Sequence, residues 1–297
     1  MHHAVFIGPA GWSYPDWKGI VYPRKMTHAE SELEYISHYF NLVEVNSTFY
    51  RFIDENTAIR WLKQVKRDET FRFTCKLHQS FTHQREGIDT RLVNQVNRGL
   101  APLLQENRLL ALLIQFPWSF KNDESNRAWL RMLFETFSEY PLALEVRHKS
   151  WHQSSILKFM ANYQVSFVNI DQPAIGNASS GFTSYANAAT VYFRFHGRNT
   201  ENWFKQGAGR NARYDYLYSP EEIETFIESL RPLIKMGKTV IGVYNNHFRG
   251  QAVVNALQTK AELIGTKVAV PKSLVEFYPQ LKAISKPNTY ATTLDLF

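Results

Sequence analysis

Short runs rich in β-branched and aromatic residues alternate with helix-period apolar patterns from one end of the chain to the other. This is the signature of parallel βαβ units whose sheet is buried on both faces. The runs are Ala4 to Gly8, Asn41 to Val45, Phe71 to Lys76, Leu109 to Phe116, Leu142 to Arg147, Val165 to Ile170, Val191 to His196 and Thr239 to Asn245. Between them, apolar residues recur at helical spacing, as in Leu33, Ile36 and Phe40, in Leu92, Val96, Leu100 and Leu103, and in Ile223, Phe226, Ile227, Leu230 and Ile234. The pattern predicts an α/β fold, a (β/α)8 TIM barrel with these faces packed on the sheet.

Local signals place some helix ends. Thr27 with Glu30 reads as a capping box, and Ser219-Pro220-Glu221-Glu222 combines a capping box with proline at the first helical position. Gly237 is a stop for the second helix. The chain has 297 residues, and one barrel takes about 250 with room for insertions. With no internal repeat, low-complexity linker or composition break, a single domain over 1–297 with a tail at about 285–297 is the expected organisation. Two connections exceed the usual length of about 4 to 6 residues: 171–190 and 196–218, both on the face where the strands end. The second holds Arg198, Trp203, Lys205, Gly207, Gly209, Arg210, Arg213, Tyr214 and Tyr216, a mixture suited to an anionic or ring-bearing ligand.

Composition narrows the class. The chain is 44% hydrophobic and 14% aromatic, yet no apolar run approaches the roughly 20 residues of a membrane span; no membrane partner is expected. Met1-His2-His3-Ala4 lacks the basic and apolar regions of a secretory signal, which points to a cytoplasmic protein. The single cysteine, Cys75, fits a reducing compartment, and its place in an alternating run reads as a packed thiol rather than a nucleophile. A net charge of +7 and a pI near 9.3 favour an anionic partner, a small molecule or nucleic acid, although lysine and arginine form no block.

In a barrel, polar side chains at the carboxyl ends of strands share one bowl. Here those ends carry Trp12 and Tyr14, then Glu44, Asn46 and Tyr50, then Lys76, Gln115, Glu145, Arg147 with Trp151 nearby, Asp171, Arg194, His196 with Arg198, and Tyr244, Asn245, Asn246 and His247. Glu44 and Glu145 alternate with apolar neighbours, so they project inward with Asn46 and Arg147; buried unpaired they would cost several kcal/mol, and Lys76, Arg147 and Arg194 are natural partners. Such a lattice could hold a phosphate or sugar hydroxyls, with Glu44 or Glu145 as a general base if burial raised its pKa. The catalytic candidates are thus Glu44, Glu145, Lys76, Arg147 and His196. A divalent metal is the sharper alternative, with Glu44, Glu145, Asp171, His196 and His247 as oxygen and nitrogen donors. No HxH or HExxH motif supports it, and the arginines oppose a cation. Walker A, GxGxxG and GxSxG patterns are absent, so no nucleotide cofactor or serine triad is expected.

The motifs, taken together, resemble a widespread family catalogued as domain of unknown function 72 (DUF72) and also called YecE-like. The resemblance rests on Gly11-Trp12-Ser13-Tyr14, Trp17-Lys18-Gly19, Tyr22-Pro23, Glu44-Val45-Asn46-Ser47-Thr48-Phe49-Tyr50 and Phe71 to Lys76. It continues through Thr82-His83, Gln115-Phe116-Pro117, Glu145-Val146-Arg147, Ser150-Trp151, Tyr192 to Arg198 and Tyr244-Asn245-Asn246. Tyr244 stands where the family often has phenylalanine. The resemblance implies a barrel of the type shared with xylose isomerases and metal-dependent, endonuclease IV-like apurinic endonucleases. Thr293-Leu294-Asp295-Leu296-Phe297 also resembles the short motif by which bacterial DNA enzymes dock on the sliding clamp, with threonine in place of the leading glutamine. Three readings follow: an enzyme, hydrolase-like, acting on a phosphate-bearing anionic substrate or nucleic acid; a noncatalytic nucleic-acid or nucleotide-binding module; and a sugar-phosphate isomerase or epimerase.

Overall fold

The computed structural model describes residues 5–26, 30–173 and 182–287, apart from residues 202, 204, 206 and 208 and the side chain of residue 210. The clamp-like tail and residues 174–181 of the insertion at 171–190 therefore lie outside the described residues. Eight parallel strands form the sheet: β1 (Val5–Pro9), β2 (Leu42–Val45), β3 (Arg72–Lys76), β4 (Leu109–Gln115), β5 (Leu142–Glu145), β6 (Ser166–Asp171), β7 (Thr190–Phe195) and β8 (Thr239–Tyr244). β1 pairs with β8, and the ladder runs back in order to β2, so the sheet curls into a barrel.

Closure between β1 and β2 uses little backbone pairing. Ala10 bridges Glu44, and the Gly11 N–H donates to the Glu44 carbonyl at 2.8 Å. Below that, the Asn41 side chain replaces the ladder: Nδ2 donates to the Val5 carbonyl at 2.9 Å and Oδ1 accepts from the Ile7 N–H at 3.2 Å. Gly8 permits the approach, because a Cβ there would stand 1.9 Å from the Leu42 carbonyl oxygen. Asn187 does the same beside β6, accepting from the Phe167 N–H and donating to the Val165 carbonyl, both at 2.9 Å.

Period-two alternation divides the strand residues. Val43, Phe73, Cys75, Leu112, Ile114, Phe193, Phe195 and Tyr244 join the core between sheet and helices, while Phe6, Leu42, Ala111, Leu113, Val168, Ile170, Ile241 and Val243 fill the lower barrel. The helices are α1 (Glu32–Ser37), α2 (Glu55–Gln64), α3 (Thr90–Gln105), α4 (Glu124–Thr136), α5 (Ser154–Asn162), α6 (Gly209–Arg213), α7 (Pro220–Lys235), α8 (Gln251–Ile264) and α9 (Lys272–Phe277). α7 begins with the expected capping box on Ser219 and Glu222. The other box shifts: Thr27 lies outside the described residues, Glu30 pairs with His38 at 3.2 Å, and Ser31 caps α1 by accepting from the Glu34 N–H at 3.1 Å. Ser31 and Glu34 repeat the same spacing four residues on, and the later match starts the helix. Among the described residues no helix is long and apolar enough to cross a membrane.

The seam between β1 and β2 is sensitive to both small substitutions. Gly8→Ala and Asn41→Ala are each expected to destabilise the barrel, the first by overpacking and the second by orphaning buried backbone groups, by about 1–3 kcal/mol apiece. Urea titrations followed by circular dichroism measure both; unchanged midpoints would show that the seam carries no strain and little bonding.

Candidate functional site

Above the apolar plug, the inward positions of β2, β3, β5 and β7 turn polar, and their side chains form one lattice around Arg194. The guanidinium is fully buried. Its Nε donates to Glu44 Oε2 at 2.9 Å and its Nη2 to Glu44 Oε1 at 2.7 Å, a two-pronged fork, while Nη1 donates to Glu145 Oε2. Tyr192, two residues earlier on the same face of β7, donates its hydroxyl to Glu44 Oε2 at 2.7 Å and meets Thr74 Oγ1 at 2.8 Å. On the other side, Arg147 Nε and Nη2 reach Glu145 Oε1 at 2.9 and 2.8 Å. His196 Nε2 lies 3.5 Å from the same oxygen, and Asn245 Nδ2 stands 3.0 Å from His196 Nδ1. Arg194 Nη1 stands 3.4 Å from His196 Nε2, so that nitrogen faces both a guanidinium donor and the Glu145 carboxylate.

These contacts set the charges. Burial opposes ionisation of Glu44, but Arg194, Lys76 and the Tyr192 hydroxyl outweigh it and hold the carboxyl below its ordinary range. Burial also opposes ionisation of Glu145, and Arg194, Arg147 and His196 hold it well below that range. Neither glutamate has the raised pKa considered from the sequence; both are fixed carboxylates. His196 goes the other way: burial, with Arg194 and Arg147 nearby, pushes its pKa down to about 3 despite Glu145, so the ring is neutral. Lys76 is brought down to about 8 by burial and by Arg194, with Glu44 and Glu145 only partly countering. Its ammonium stands 5.9 Å from the Phe49 ring centroid and makes no hydrogen bond or ion pair among the described residues.

Further residues near the lattice fall into three groups. Asn46, Gln115 and Gln172 continue the inward alternation of their strands, and each has a buried amide oxygen without a hydrogen-bond partner among the described residues. Trp12, Tyr14, Asn46 and Tyr50 line a groove of about 860 Å³ past the ends of β1 and β2, with Trp61 and Arg60 also in its wall. Trp203 meets His196 edge to face and Tyr214 meets it at a tilt, with ring centroids at 6.3 and 6.5 Å, an aromatic roof supplied by the loop after β7.

Asp171, Arg198, Tyr244, Asn246 and Trp151 sit behind the barrel wall rather than in its mouth, and this corrects the expectation that every polar tip shares one bowl. Asp171 has outward parity: it accepts from Arg198 Nη2 at 2.7 Å and from the Tyr218 hydroxyl at 2.6 Å, and Arg198 Nη1 continues to Glu222 at 2.8 Å. The Tyr244 hydroxyl bonds Thr259 on α8 at 2.5 Å. Asn246 Nδ2 donates to the Tyr216 carbonyl and to Asn255 Oδ1, both at 2.8 Å, and Trp151 Nε1 donates to the Phe120 carbonyl at 2.7 Å. His247 stacks on Tyr14 with centroids 4.5 Å apart. The metal candidates are thereby separated: only Glu145 and His196 approach one another, and among the described residues no group of three or more His, Cys, Asp or Glu side chains is placed to hold a metal ion. Cys75 is buried, its thiol pKa driven up by burial and by Glu44. Sequence reasoning missed Tyr192, Thr74, Phe49 and Gln172 as parts of the site. Extending the period-two parity from Arg194 to Tyr192 and from Lys76 to Thr74 would have found the first two.

The family described as "Protein of unknown function DUF72" matches residues 6–276. The UPF0759 protein YunF of Bacillus subtilis (strain 168) is 32% identical over 267 residues, covering 86% of this chain and 93% of that protein. Among solved structures, a DUF72 family protein from Thermotoga maritima MSB8 is similar at 36% identity and a TM-score of 0.78, covering 88% of this chain and 100% of that one. A second, from Enterococcus faecalis V583, has 27% identity, a TM-score of 0.78 and coverages of 90% and 98%.

The lattice makes two predictions. Arg194→Met takes from buried Glu44 its ion-pair partner and from buried Glu145 one of its arginines, and is expected to cost about 3–5 kcal/mol at neutral pH, a penalty that shrinks as acid protonates the carboxyls; chemical denaturation at several pH values measures it. His196 ordinarily titrates at 6.5 and in the fold at about 3, so between those values the unfolded chain binds more protons. Its stabilising contribution is complete above pH 6.5 and is lost as pH falls towards 3. The melting temperature should decline through that window, and His196→Asn should flatten the decline; an unchanged slope would show that His196 does not set it.

Proposed function

The chain belongs to the DUF72 family, and from that premise we propose that it is an enzyme acting on an anionic, phosphate-bearing substrate held in the barrel mouth. The charge count there carries the reading. Glu44 and Glu145 supply two negative charges, Arg194 and Arg147 two positive ones, and with His196 neutral Lys76 is the cation left over. An anion at Lys76 restores balance without breaking a bond already made. Arg147 adds a second donor, because its Nη1 carries no bond to a described residue.

Roles divide by charge state. Glu44 and Glu145 are held ionised, so they orient the cations and steady positive charge as it develops. Lys76, titrating near 8, is the group suited to give and take a proton at neutral pH. Trp203 and Tyr214 roof the site and limit water. In the groove, Trp12, Tyr14, Asn46 and Tyr50 receive the remainder of the substrate. The loop after β7 offers less to a nucleic-acid-binding module than its composition promises, because Arg198 is tied to Asp171 and Glu222.

Inorganic phosphate or a sugar phosphate should raise the melting temperature of the wild-type protein. Lys76→Met should weaken that binding roughly 10- to 100-fold, the worth of one charge-assisted hydrogen bond, as read by calorimetry. On any substrate found in a panel of sugar phosphates and phosphodiesters, Glu145→Gln should abolish turnover with the circular dichroism unchanged. Full activity in that variant, or equal phosphate affinity in Lys76→Met, would sink the assignment. Labelled single and double strands at two salt concentrations separate a polynucleotide from a small substrate, since phosphate contacts along a strand give a steep salt dependence.

A further inference from the structure

We propose that Lys76 is a nucleophile that forms an imine with the carbonyl carbon of an aldehyde or ketone carrying an anionic group, a step that rests on the anionic-substrate reading above. The first support is the way the lattice leaves this amine uncommitted. Glu44 Oε1 is taken by Arg194 Nη2, and Glu44 Oε2 by Arg194 Nε and the Tyr192 hydroxyl. Glu145 Oε2 is taken by Arg194 Nη1, and Glu145 Oε1 by Arg147 and His196. Two carboxylates thus stand near enough to act on Lys76 through space while neither binds it. A lysine with an ion-pair partner would have to break that bond before attacking; this one does not.

The surroundings also favour the free amine. Charged and titratable groups face Lys76 from several elements: Glu44 from β2, His83 from the turn after β3, Glu145 and Arg147 from β5 and its end, and Arg194 from β7. Phe49 covers it on one side. With the pKa brought down to about 8, about a quarter of the lysine is unprotonated near pH 7.5, against about a thousandth for an unperturbed side chain. Lysines desolvated in this way beside other cations are activated nucleophiles.

The step balances within itself. Lys76 ammonium and the carbonyl compound give a protonated imine and water: the C–N bond forms, both C–O bonds of the carbonyl break, and two of the three ammonium hydrogens leave on the oxygen. Nothing is oxidised or reduced, and the single positive charge stays on nitrogen. Glu44 and Glu145 therefore act on the product through space as they did on the ammonium, while Arg147 Nη1 meets the anionic group. The protonated imine then draws electrons from the neighbouring carbon, the chemistry an isomerase or a carbon–carbon lyase requires.

Pyridoxal 5′-phosphate, an aldehyde with a phosphate, serves as the probe. The full-length protein is treated with it at limiting concentration and sodium cyanoborohydride, and the adduct is mapped by peptide mass spectrometry; a parallel melting curve with inorganic phosphate reports anion binding alone. The adduct should fall on Lys76 at least tenfold above any other lysine and be suppressed by excess phosphate. Lys76→Arg, which keeps the charge, should retain the phosphate-induced rise in melting temperature and lose the dominant adduct. Phosphate stabilisation with adducts spread evenly over the surface lysines would overturn the imine and leave the anion site standing. No phosphate effect and no preferred adduct would overturn both.

Discussion

A guanidinium sealed from water between two carboxylates sets the terms for everything at the barrel mouth. Arg194 alone, buried in the centre of the sheet, would be prohibitive; with Glu44 gripping two of its nitrogens and Glu145 a third, its charge is held. The same bonds explain the neighbours. Tyr192, itself bonded to Thr74, completes the acceptors of Glu44, Arg147 completes Glu145, and His196 is kept neutral by burial and by the two arginines beside it. The lattice is saturated, and a saturated lattice has no bond to offer Lys76. The reactivity we propose for Lys76 rests on completeness at the other positions.

A second polar cluster does different work on the other side of the wall. Asp171, Arg198, Glu222, Tyr216 and Tyr218 clasp the end of β6 to the start of α7, and the Tyr218 hydroxyl also accepts the Gly197 N–H at 2.8 Å. Gly197 has a φ of +87° and Tyr216 packs where its Cβ would be, so the chain leaves β7 along one path only. That path carries Trp203 and Tyr214 over His196. The outward cluster thus fixes the roof of the inward one, and ion pairs without access to the mouth still shape what enters it.

The fold was legible because period two and period 3.6 are strong signals when each strand is buried on both faces: all eight strands were placed to within a residue or two of their observed ends. The central lattice was legible for the same reason, since Glu44, Lys76, Glu145, Arg147 and Arg194 sit on inward parity. Asp171, Tyr244 and Asn246 were misjudged because proximity to a strand end was allowed to override parity. Each lies one residue from an inward position, and a single step along a strand moves a side chain to the opposite face. Charge state was beyond the sequence altogether. Whether burial raises or lowers a glutamate depends on which cations reach it, and Arg194 reaches Glu44 and Glu145 across 150 and 49 residues of chain.

The cylinder is also not uniform around its circumference. Seven of its joints are backbone ladders, whereas the eighth is held by one asparagine side chain, one bridge and the bare face of a glycine. Under thermal agitation such a wall parts along its stitched edge before its woven ones. That edge runs up into Gly11 and Asn46, which line the groove. The joint that is weakest as masonry therefore also borders the widest opening in that part of the surface that Trp12 and Tyr50 line, so its stiffness and the shape of that opening are set by the same few residues.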